Sequence, residues 1–510
     1  YQQNTRHSNI PYKFMSKSLE LCTYQQFYIY LWVQKVFKLI NMRKILLLLI
    51  VFATSFSFAQ ATYETTGNAS DWDSTSTWTL ASGSAADSDS NGVPDSNDNV
   101  LIKHDVTVDA NNACNNLTTY YSGGSRRIIT VINSSTLTVS GDVVNDGEII
   151  LGTNVGGKGT MDISGDVDNE TFITINEGSM MILSSTSTMN ADGQLTINSS
   201  SSTFGSLVMP GNYAEVGGSA LFEYGRYVNS VAGGWDLISS PVSGLQISSF
   251  ISSNSDVATN GSDPIQYAVG VYSNTAAAHG AGNDWLNYTS SSVGSTEFDD
   301  SKGYQMATTG GSKVEFSGTP HTGTQSITIT YNENGSTNVN DGTKFNLVGN
   351  PYPSYITVTD FINGNNSVLH VGHKAVYGWN GSSYTTKNLA SAGYIAPGQG
   401  FMVADNGPSV GDSSTLQFTV SMMTSSANGA DDFVSSLMDD RAELFLSYNQ
   451  SELDKSTEIY FLDNVNDQMN PGYDAGVIAL ADTKIYTRLV EGDEGLDLSI
   501  QSLAHSEMWD

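Results

Sequence analysis

The side chains best suited to chemistry lie in one acidic segment, 87–98, which reads Asp-Ser-Asp-Ser-Asn-Gly-Val-Pro-Asp-Ser-Asn-Asp. Its spacing matches D-x-D-x-N-G, the opening of a calcium-binding loop. Ca²⁺ takes about six to eight hard oxygen ligands, and Gly92 permits the sharp turn that brings such ligands together. The segment predicts a structural Ca²⁺ held by side chains or carbonyl oxygens of Asp87, Asp89, Asn91, Val93, Asp95 and Asp98.

Two features separate this segment from an EF-hand. Asp98 stands where an EF-hand has a longer, bidentate Glu, and the flanking sequence has the alternation of strands. The segment resembles the acidic loops of thrombospondin type 3 and dockerin repeats, present once. The alternative is a hydrated Asp/Asn turn before a strand, because both residue types favour tight turns.

No catalytic motif stands out in the sequence. It contains no G-x-S-x-G, H-E-x-x-H, P-loop or C-x-x-C pattern. His370 and His373 are three residues apart, so in a strand they would face opposite sides and make a poor metal site. Cys114 is expected to be a small, buried hydrophobic residue. We therefore predict no catalytic residues, and we leave enzyme activity open.

Carboxylates on an internal repeat offer the alternative of an enzyme. Paired carboxylates carry out glycoside hydrolysis, and β-helices host polysaccharide lyases and hydrolases. Asp is nevertheless common at coil turns because it tolerates tight backbone conformations. The candidates that could line one groove are Asp142, Asp146, Asp166 and Asp168.

The elements that would position these residues are short strands. Between residues 100 and 200, short alternating apolar runs are separated by Gly, Asn, Asp or Ser, the pattern of strands and turns. Residues 135–143 and 159–167 repeat one another at an offset of 24. This period predicts one coil of a parallel β-helix per repeat, because a single coil cannot bury its own apolar face. The alternative is an antiparallel sandwich in which the repeat arises by chance.

The start of this region resembles secreted β-helix proteins that contain a G8-like segment. The resemblance is carried by Trp72, Trp78, Asn99-Val-Leu-Ile and Val106-Thr-Val-Asp. We expect an all-β protein in which an N-terminal right-handed parallel β-helix is followed by antiparallel β-sandwich-type modules.

A second, longer repeat occupies the middle of the chain. Each half reads strand, turn, aromatic strand, Gly-aromatic strand, strand, which predicts two related antiparallel units packed as sandwiches. The aromatic side chains are expected to lie in the core, with a ligand platform as the alternative. The matching pairs are 234–241 with 344–351, 303–306 with 400–403, and 314–316 with 416–418.

Motifs in this region resemble repeats of large surface proteins of Bacteroidetes, which the type IX secretion system exports. The motifs are Trp235-Asp-Leu-Ile-Ser-Ser-Pro, Phe345-Asn-Leu-Val-Gly-Asn-Pro-Tyr-Pro-Ser and Ala396-Pro-Gly-Gln-Gly-Phe. Segment 443–486 is similar to stretches that precede a C-terminal sorting domain in such proteins. The resemblance implies a location and a secretion machinery as partner, and it implies no activity. We expect the protein to continue past Asp510, where a sorting domain would lie.

Residues 42–59 have the composition of a secretory signal peptide. A basic start, the apolar stretch 45–58 and the small residue Ala59 predict cleavage before Gln60. The apolar stretch is shorter than the roughly 20 residues that a bilayer span requires. We expect residues 1–41 to be upstream translation without structure, and the alternative is a longer signal anchor.

The predicted domains follow from these boundaries. They are a β-helix-like domain at 60–212, a duplicated β-sandwich region at 213–424 with halves at about 225–330 and 331–424, and a further, truncated β module at 425–510.

The net negative charge of the chain limits the kinds of molecule that it can bind. The chain carries a net charge of −31, and removing residues 1–59 leaves 14 Lys and Arg against 51 Asp and Glu, or −37. Such a surface repels nucleic acid and anionic membranes and suits divalent cations. One Cys would remain, so an internal disulfide is excluded, and secretion without disulfides indicates a bacterial protein.

These observations favour a non-enzymatic, adhesin-like or structural protein, secreted or displayed on the surface of a Gram-negative bacterium. Its partners would be extracellular glycans or cell surfaces, with no membrane span after signal cleavage. The alternative is a carbohydrate-active enzyme or a glycan-binding accessory protein that uses the β-helix groove.

Overall fold

The structure, a computed structural model, describes most of the chain after residue 59. The predicted signal peptide and the residues before it lie outside the described part, as do two predicted calcium ligands, Asp87 and Asp89. Strands make up 48% and helices 7%, which confirms the all-β class. The described residues are 60–83, 91–153, 157–215, 222–228, 234–334, 342–381, 383–426, 433, 441–446, 455–462, 465–478 and 485–504.

A β-solenoid of about five turns occupies residues 106–224. Its strands are short because Gly, Asn, Asp and Ser interrupt each apolar run and turn the chain. The strands of the solenoid and its N-terminal flank are β1 (Thr62–Thr65), β2 (Trp78–Ser82), β3 (Asn99–Ile102), β4 (Val106–Val108), β5 (Asn112–Cys114), β6 (Leu117–Thr119), β7 (Tyr121–Ser122), β8 (Ser125–Arg126), β9 (Ile128–Val131), β10 (Ser135–Val139), β11 (Val143–Asn145), β12 (Glu148–Leu151), β13 (Gly159–Ile163), β14 (Val167–Asn169), β15 (Phe172–Ile175), β16 (Met180–Leu183), β17 (Thr188–Ala191), β18 (Gln194–Ile197), β19 (Ser206–Val208), β20 (Asn212–Glu215) and β21 (Phe222–Val228).

Successive coils stack as parallel strands in three sheets. Within one sheet, β10 pairs with β13 from Ser135 opposite Gly159 to Val139 opposite Ile163, so the 24-residue repeat is one turn of the solenoid. The parallel β-helix prediction is confirmed against the sandwich alternative. The sheets run in the orders β5-β10-β13-β16-β19, β3-β6-β11-β14-β17-β20 and β4-β9-β12-β15-β18-β21.

Alternate residues of each strand point into the solenoid. Strand β12 buries Ile149 and Leu151, and β15 stacks Ile173 and Ile175 directly on them. Stacking at the strand spacing of about 4.8 Å lets each coil cover the apolar face that its neighbour could not bury alone.

A buried amide ladder accompanies this apolar core. Asn145 and Asn169 are fully buried, and Asn145 Nδ2 donates to Asn169 Oδ1 at 2.7 Å. Asn145 Oδ1 accepts a hydrogen bond from Thr119 Oγ1 at 2.6 Å. The polar groups of three successive coils thus satisfy one another inside the solenoid, as buried polar groups must.

Both ends of the solenoid are covered. At the first end Trp72 and Trp78 are buried edge to face at 4.9 Å, and Trp78 Nε1 donates to the Trp72 carbonyl at 2.7 Å. At the other end β21 pairs in parallel with β18 and antiparallel with the strand Ser312–Pro320. One hydrophobic cluster runs from the solenoid into the antiparallel region, and the strand Ser312–Pro320 covers the edge of the sheet that contains β21.

The antiparallel region contains the predicted duplication. Its elements are β22 (Asp236–Ser239), β23 (Val242–Ser243), α1 (Ile247–Ser253), β24 (Gln266–Tyr272), α2 (Ala276–Gly280), β25 (Trp285–Thr289), β26 (Gly303–Met306), β27 (Ser312–Pro320), β28 (Gln325–Tyr331), β29 (Phe345–Gly349), β30 (Tyr355–Thr357), α3 (Val358–Gly364), β31 (Val376–Trp379), β32 (Tyr384–Lys387), β33 (Tyr394–Ile395), β34 (Gly400–Ala404), β35 (Asp412–Phe418) and β36 (Met423–Thr424), with 3-10 turns at Thr75–Thr77, Val371–His373 and Val420–Met422.

Two of its sheets have the same strand order. The orders are β22-β26-β24-β25 and β29-β34-β31-β32, each joining the first strand of a half to its Gly-aromatic strand. The duplication extends to hydrogen bonds that the sequence did not reveal. Asn254, after α1, donates to the carbonyls of Phe250 and Glu315, and Asn365, after α3, donates to those of Phe361 and Gln417.

A further sheet follows, which we call the C-terminal module. Its strands are β37 (Arg441–Leu446), β38 (Lys455–Leu462), β39 (Ala475–Gly476) and β40 (Leu498–Ala504), in the order β37-β38-β40-β39. Side chains of β38 to β40 share one hydrophobic cluster with Phe345 and Tyr377 of the second half. None of the helices in the described part of the chain is long and apolar enough to cross a membrane.

Candidate functional site

The acidic segment is described from Asn91 onwards, and its polar groups form turns. Asn91 Oδ1 accepts the Val93 N–H at 2.7 Å, and Asp95 Oδ1 accepts the Asn97 N–H at 2.7 Å. Gly92 has a φ of +77°, the left-handed conformation that the loop pattern requires of it. These contacts are the short-range hydrogen bonds by which Asn and Asp stabilise turns.

Asp98 ties this segment to the first strand. Its side chain is only 4% exposed, Oδ1 accepts the Ala61 N–H at 3.3 Å and Oδ2 accepts the Asp95 N–H at 3.1 Å. A Ca²⁺ ligand at this position would share its oxygens with these N–H donors. The observed hydrogen bonds of Asp98 thus attach the segment to the start of β1 directly.

A second group of carboxylates lies nearby, and the sequence pattern did not reveal it. Asp71, Asp73 and Asp109 each place one oxygen within 4.8 Å of the other two, and all three are exposed. They meet because Trp72 N–H donates to the Thr107 carbonyl at 2.9 Å, which brings the Asp71–Asp73 turn beside the end of β4. Such oxygen ligands suit hard cations, although exposed carboxylates also gather without one.

Two of the groove candidates bind backbone of the neighbouring coil. Asp142 Oδ1 accepts the Asp166 N–H at 2.9 Å, and Asp166 Oδ1 accepts the Thr188 N–H at 2.8 Å. One coil earlier, Asn116 Oδ1 accepts the Asp142 N–H at 2.8 Å. The three side chains form a ladder along the solenoid, so these carboxylates stabilise coil stacking.

The other two candidates belong to an outward acidic patch. Asp146 and Asp168 lie beside Glu170 and Asp192 near the turns that follow β11, β14 and β17. Loss of hydration, followed by the negative charges of Asp192, Asp168 and Asp146, raises the pKa of the exposed Glu170. All four side chains of the patch are carboxylates that repel one another. They do not form the general acid and general base pair of a glycoside hydrolase.

A different carboxyl pair escaped the sequence reasoning. Glu223 on β21 and Glu315 on β27 are diagonal neighbours on one sheet face, with Gly225 opposite Glu315. Burial first, then the hydrogen bond to Glu315 and its charge, raise the pKa of Glu223. Because two neighbouring carboxylates repel each other, this arrangement disfavours two simultaneous negative charges.

Polar neighbours surround this pair. Gln194 Nε2 donates to Glu223 Oε2 at 3.3 Å, and Lys313 Nζ lies 3.6 Å from Glu315 Oε1. Lys313 also donates to Asn198 Oδ1 at 2.8 Å. The pair forms only when β27 joins the solenoid sheet, which explains why sequence spacing could not indicate it.

His373 ends the 3-10 turn Val371–His373 and His370 is the residue that caps its start, so the segment is not a strand and the two side chains are not held on opposite sides. Their Nδ1 atoms are 3.4 Å apart and their ring centroids 5.2 Å. Among the described residues, no third His, Cys, Asp or Glu lies close enough to complete a metal site with them. Cys114 is buried and unpaired, as predicted.

The fold defines a β-solenoid protein with antiparallel β modules attached. A family model described as a domain of unknown function (DUF8693) matches residues 162–391. No curated protein and no solved structure matches the chain. The matched range contains the Glu223–Glu315 pair and both histidines, and the acidic segment at 87–98 lies outside it.

Proposed function

We propose that this protein is a non-enzymatic, adhesin-like or structural protein, secreted or displayed on the surface of a Gram-negative bacterium. The observation that carries the proposal is the ladder from Asn116 through Asp142 to Asp166. Two of the four carboxylates that could line a groove, Asp142 and Asp166, are engaged in stacking the coils. A solenoid built in this way is a rigid support whose outer faces are available for contact.

Export is supported by sequence features. The signal-peptide pattern at 42–59, the acidic charge and the single Cys after Gln60 suit a disulfide-free bacterial exoprotein. The motifs around Trp235, Phe345 and Ala396 support a type IX secretion substrate of Bacteroidetes. N-terminal sequencing of the exported protein should give Gln60. Recovery of the chain from the cytoplasm with residues 42–59 attached would contradict this part of the proposal.

Glycans or cell surfaces are the proposed partners. Tyr121, on the small β7–β8 hairpin that leaves the solenoid, is 61% exposed, and Arg126 of the same hairpin lies over the Phe172 ring at 4.2 Å. Aromatic faces and charged hydrogen-bond donors suit sugar rings and their hydroxyls. Binding of the purified chain to glycan arrays should decrease with Tyr121→Ala, and Leu80→Ala provides a control at another exposed apolar site. If Tyr121→Ala and Leu80→Ala bind the glycans equally well, the β7–β8 hairpin is not the binding surface.

We propose a structural Ca²⁺ at the acidic segment as part of this function. A ligand that binds only the folded state raises the melting temperature. The chain from Gln60 should therefore melt at a higher temperature in millimolar Ca²⁺ than in chelator, and Asp87→Asn with Asp89→Asn should abolish the shift. Asp71→Asn with Asp73→Asn is the matched variant at the second carboxylate group. A shift that survives the first pair and disappears with the second would place the ion there instead.

The Glu223–Glu315 pair favours a second candidate, a carbohydrate-active enzyme. Glycosidase carboxylates stand at least about 5 Å apart, whereas these two hydrogen-bond directly. This closeness ranks the enzyme below the adhesin. Turnover of a polysaccharide that disappears in both Glu223→Gln and Glu315→Gln, but persists in Asp162→Asn on another outer face, would reverse the ranking.

A further inference from the structure

The two histidines meet where the second half contacts the C-terminal module. His373 is 5% exposed, and its Nδ1 lies 3.4 Å from His370 Nδ1. His370 Nδ1 also accepts the Gly372 N–H at 3.1 Å. The shared contact therefore needs a proton on His373, because the lone pair of His370 already acts as an acceptor.

The other side of the His373 ring faces the module. A Cβ on Gly476 would lie 2.6 Å from His373 Nε2, so the module backbone passes directly over the ring. The ring hydrogen-bonds to Val477 backbone, and the Val477 N–H already donates to the Asp497 carbonyl at 2.8 Å. The Val477 group that faces His373 is thus its carbonyl, which also requires a donor.

A neutral imidazole has one N–H, so neutral His373 can satisfy His370 or Val477 but not both. A second proton would satisfy both partners and place a positive charge in a buried site. Burial, followed by the charges of Lys344 and His370, lowers the pKa of His373 well below its usual value. Burial and Lys344 lower the pKa of His370 to about 4. The cost of the buried charge outweighs the additional hydrogen bond.

We propose that His370 and His373 form an acid-sensitive joint that releases the C-terminal module from the second half when the pair takes up a proton. Near neutral pH a hydrogen bond from Ser499 Oγ to Thr386 Oγ1 at 3.1 Å joins the two parts, and three further direct hydrogen bonds close the joint near the histidines. Tyr377 Oη donates to the Gly476 carbonyl at 2.9 Å, Asn388 Nδ2 to that of Tyr473 at 2.8 Å, and the Leu389 N–H to that of Gly472 at 2.8 Å. All three end on residues 472–476, beside the strand that lies over His373.

The charged groups around the pair decide the direction of the effect. On the side of the second half, Lys344 pairs with Glu333 at 2.7 Å, and Lys374 donates to Asn366 Oδ1 at 2.6 Å. Burial also lowers the pKa of Lys374. The Lys344 charge therefore disfavours a second cation on the histidines, and Glu333 offsets it in part at His370.

Acidic groups of the module act differently. Asp497 pairs with Arg488 at 2.8 Å. Asp474 is buried, and burial raises its pKa, so its protonation in the folded state favours the closed joint as pH falls. The proposed release therefore requires that proton uptake by the histidines destabilises the closed joint more than protonation of Asp474 stabilises it. Variants of the histidines separate the two contributions.

Hydrogen exchange of the chain from Gln60 tests the proposal at pH 7.5 and pH 5.0, after correction for the intrinsic exchange rate. When the joint opens, the pKa of His370 returns from about 4 to the usual 6.5, so opening should increase roughly tenfold between pH 7.5 and pH 5.0 after a discount for solvent screening. We expect this increase in peptides covering 472–478 and 498–504, with solenoid peptides covering 128–151 unchanged. His373→Gln and His370→Gln should each reduce the pH response, and His279→Gln on α2 should leave it intact.

Three results would overturn the joint. The first is equal protection of 472–478 at both pH values in the unmodified chain. The second is an undiminished pH response in His370→Gln. This variant replaces the less buried histidine, so it can be measured even if His373→Gln fails to fold. The third is a parallel rise in the solenoid peptides, which would mean general acid unfolding.

Discussion

Replacing Asn145 by Ala tests whether the buried amide ladder stabilises the solenoid. The change removes the hydrogen bond from Thr119 and the two that Asn145 Nδ2 donates, to Asn169 Oδ1 at 2.7 Å and to the Phe172 carbonyl at 3.0 Å. A buried polar group left without its partner costs about 1–3 kcal/mol. Thr119 Oγ1 still accepts a hydrogen bond from the Gly147 N–H, so we use the lower value of about 1 kcal/mol for each of the three lost hydrogen bonds. The free energy of unfolding should therefore fall by about 3 kcal/mol.

Cys114 provides a local assay of this loss. It is the single thiol after Gln60 and is fully buried in the solenoid core, where burial raises its pKa far above the usual value. It can be labelled only when the solenoid opens, and about 3 kcal/mol corresponds to roughly 100-fold faster labelling when opening is a rapid pre-equilibrium. Asn190→Ala, on the outer face of the same sheet, should change the rate by less than about threefold. Similar rates for the two variants would refute the idea that the inward amides stabilise the coils.

Three further outcomes follow from the second half. The pKa of His370 is lowered to about 4 in the folded state from 6.5, so the folded state binds fewer protons than the unfolded state. The free energy of unfolding should therefore fall as the pH drops below 6.5, by about 1 kcal/mol at pH 5.5. Thermal melts of His370→Gln should lack this decrease. Asn365→Ala removes the donor to the Phe361 and Gln417 carbonyls and should lower the free energy of unfolding in urea by about 2 kcal/mol, unlike Asn363→Ala in the preceding helix α3. Gly378→Ala would place a Cβ 2.1 Å from the Phe433 ring and should lower the melting temperature, whereas Gly381→Ser, with open space around it, tests the left-handed turn alone.

Part of the candidate site was visible in the residues themselves. Asn91, Gly92 and Asp95 form the turn that their types and spacing indicate, because Asx turns and a left-handed glycine are local properties. Whether Ca²⁺ occupies that segment stays a prediction, since two of its proposed ligands lie outside the described residues. The contact between the histidines could not be predicted, because residues i and i+3 face opposite sides in a strand but the same side in a 3-10 turn, and their spacing does not say which of the two forms.

The amino-acid sequence by itself determined the β class, the 24-residue coil and the duplication of the middle region. Each of these depends on periodicity or local repetition, and the parallel pairing of β10 with β13 reproduces the repeat residue for residue. Alternation of apolar and polar residues sets which face of a strand is buried wherever the strand ends up.

Only the tertiary structure decided which polar groups meet. Asp142 became a partner of the Asp166 backbone, Glu223 came beside Glu315, and His373 came beneath the module at Gly476. These pairs join residues from different coils or modules. Their meeting depends on the stagger of strands that pair far apart in the chain, which no local pattern of residue types specifies.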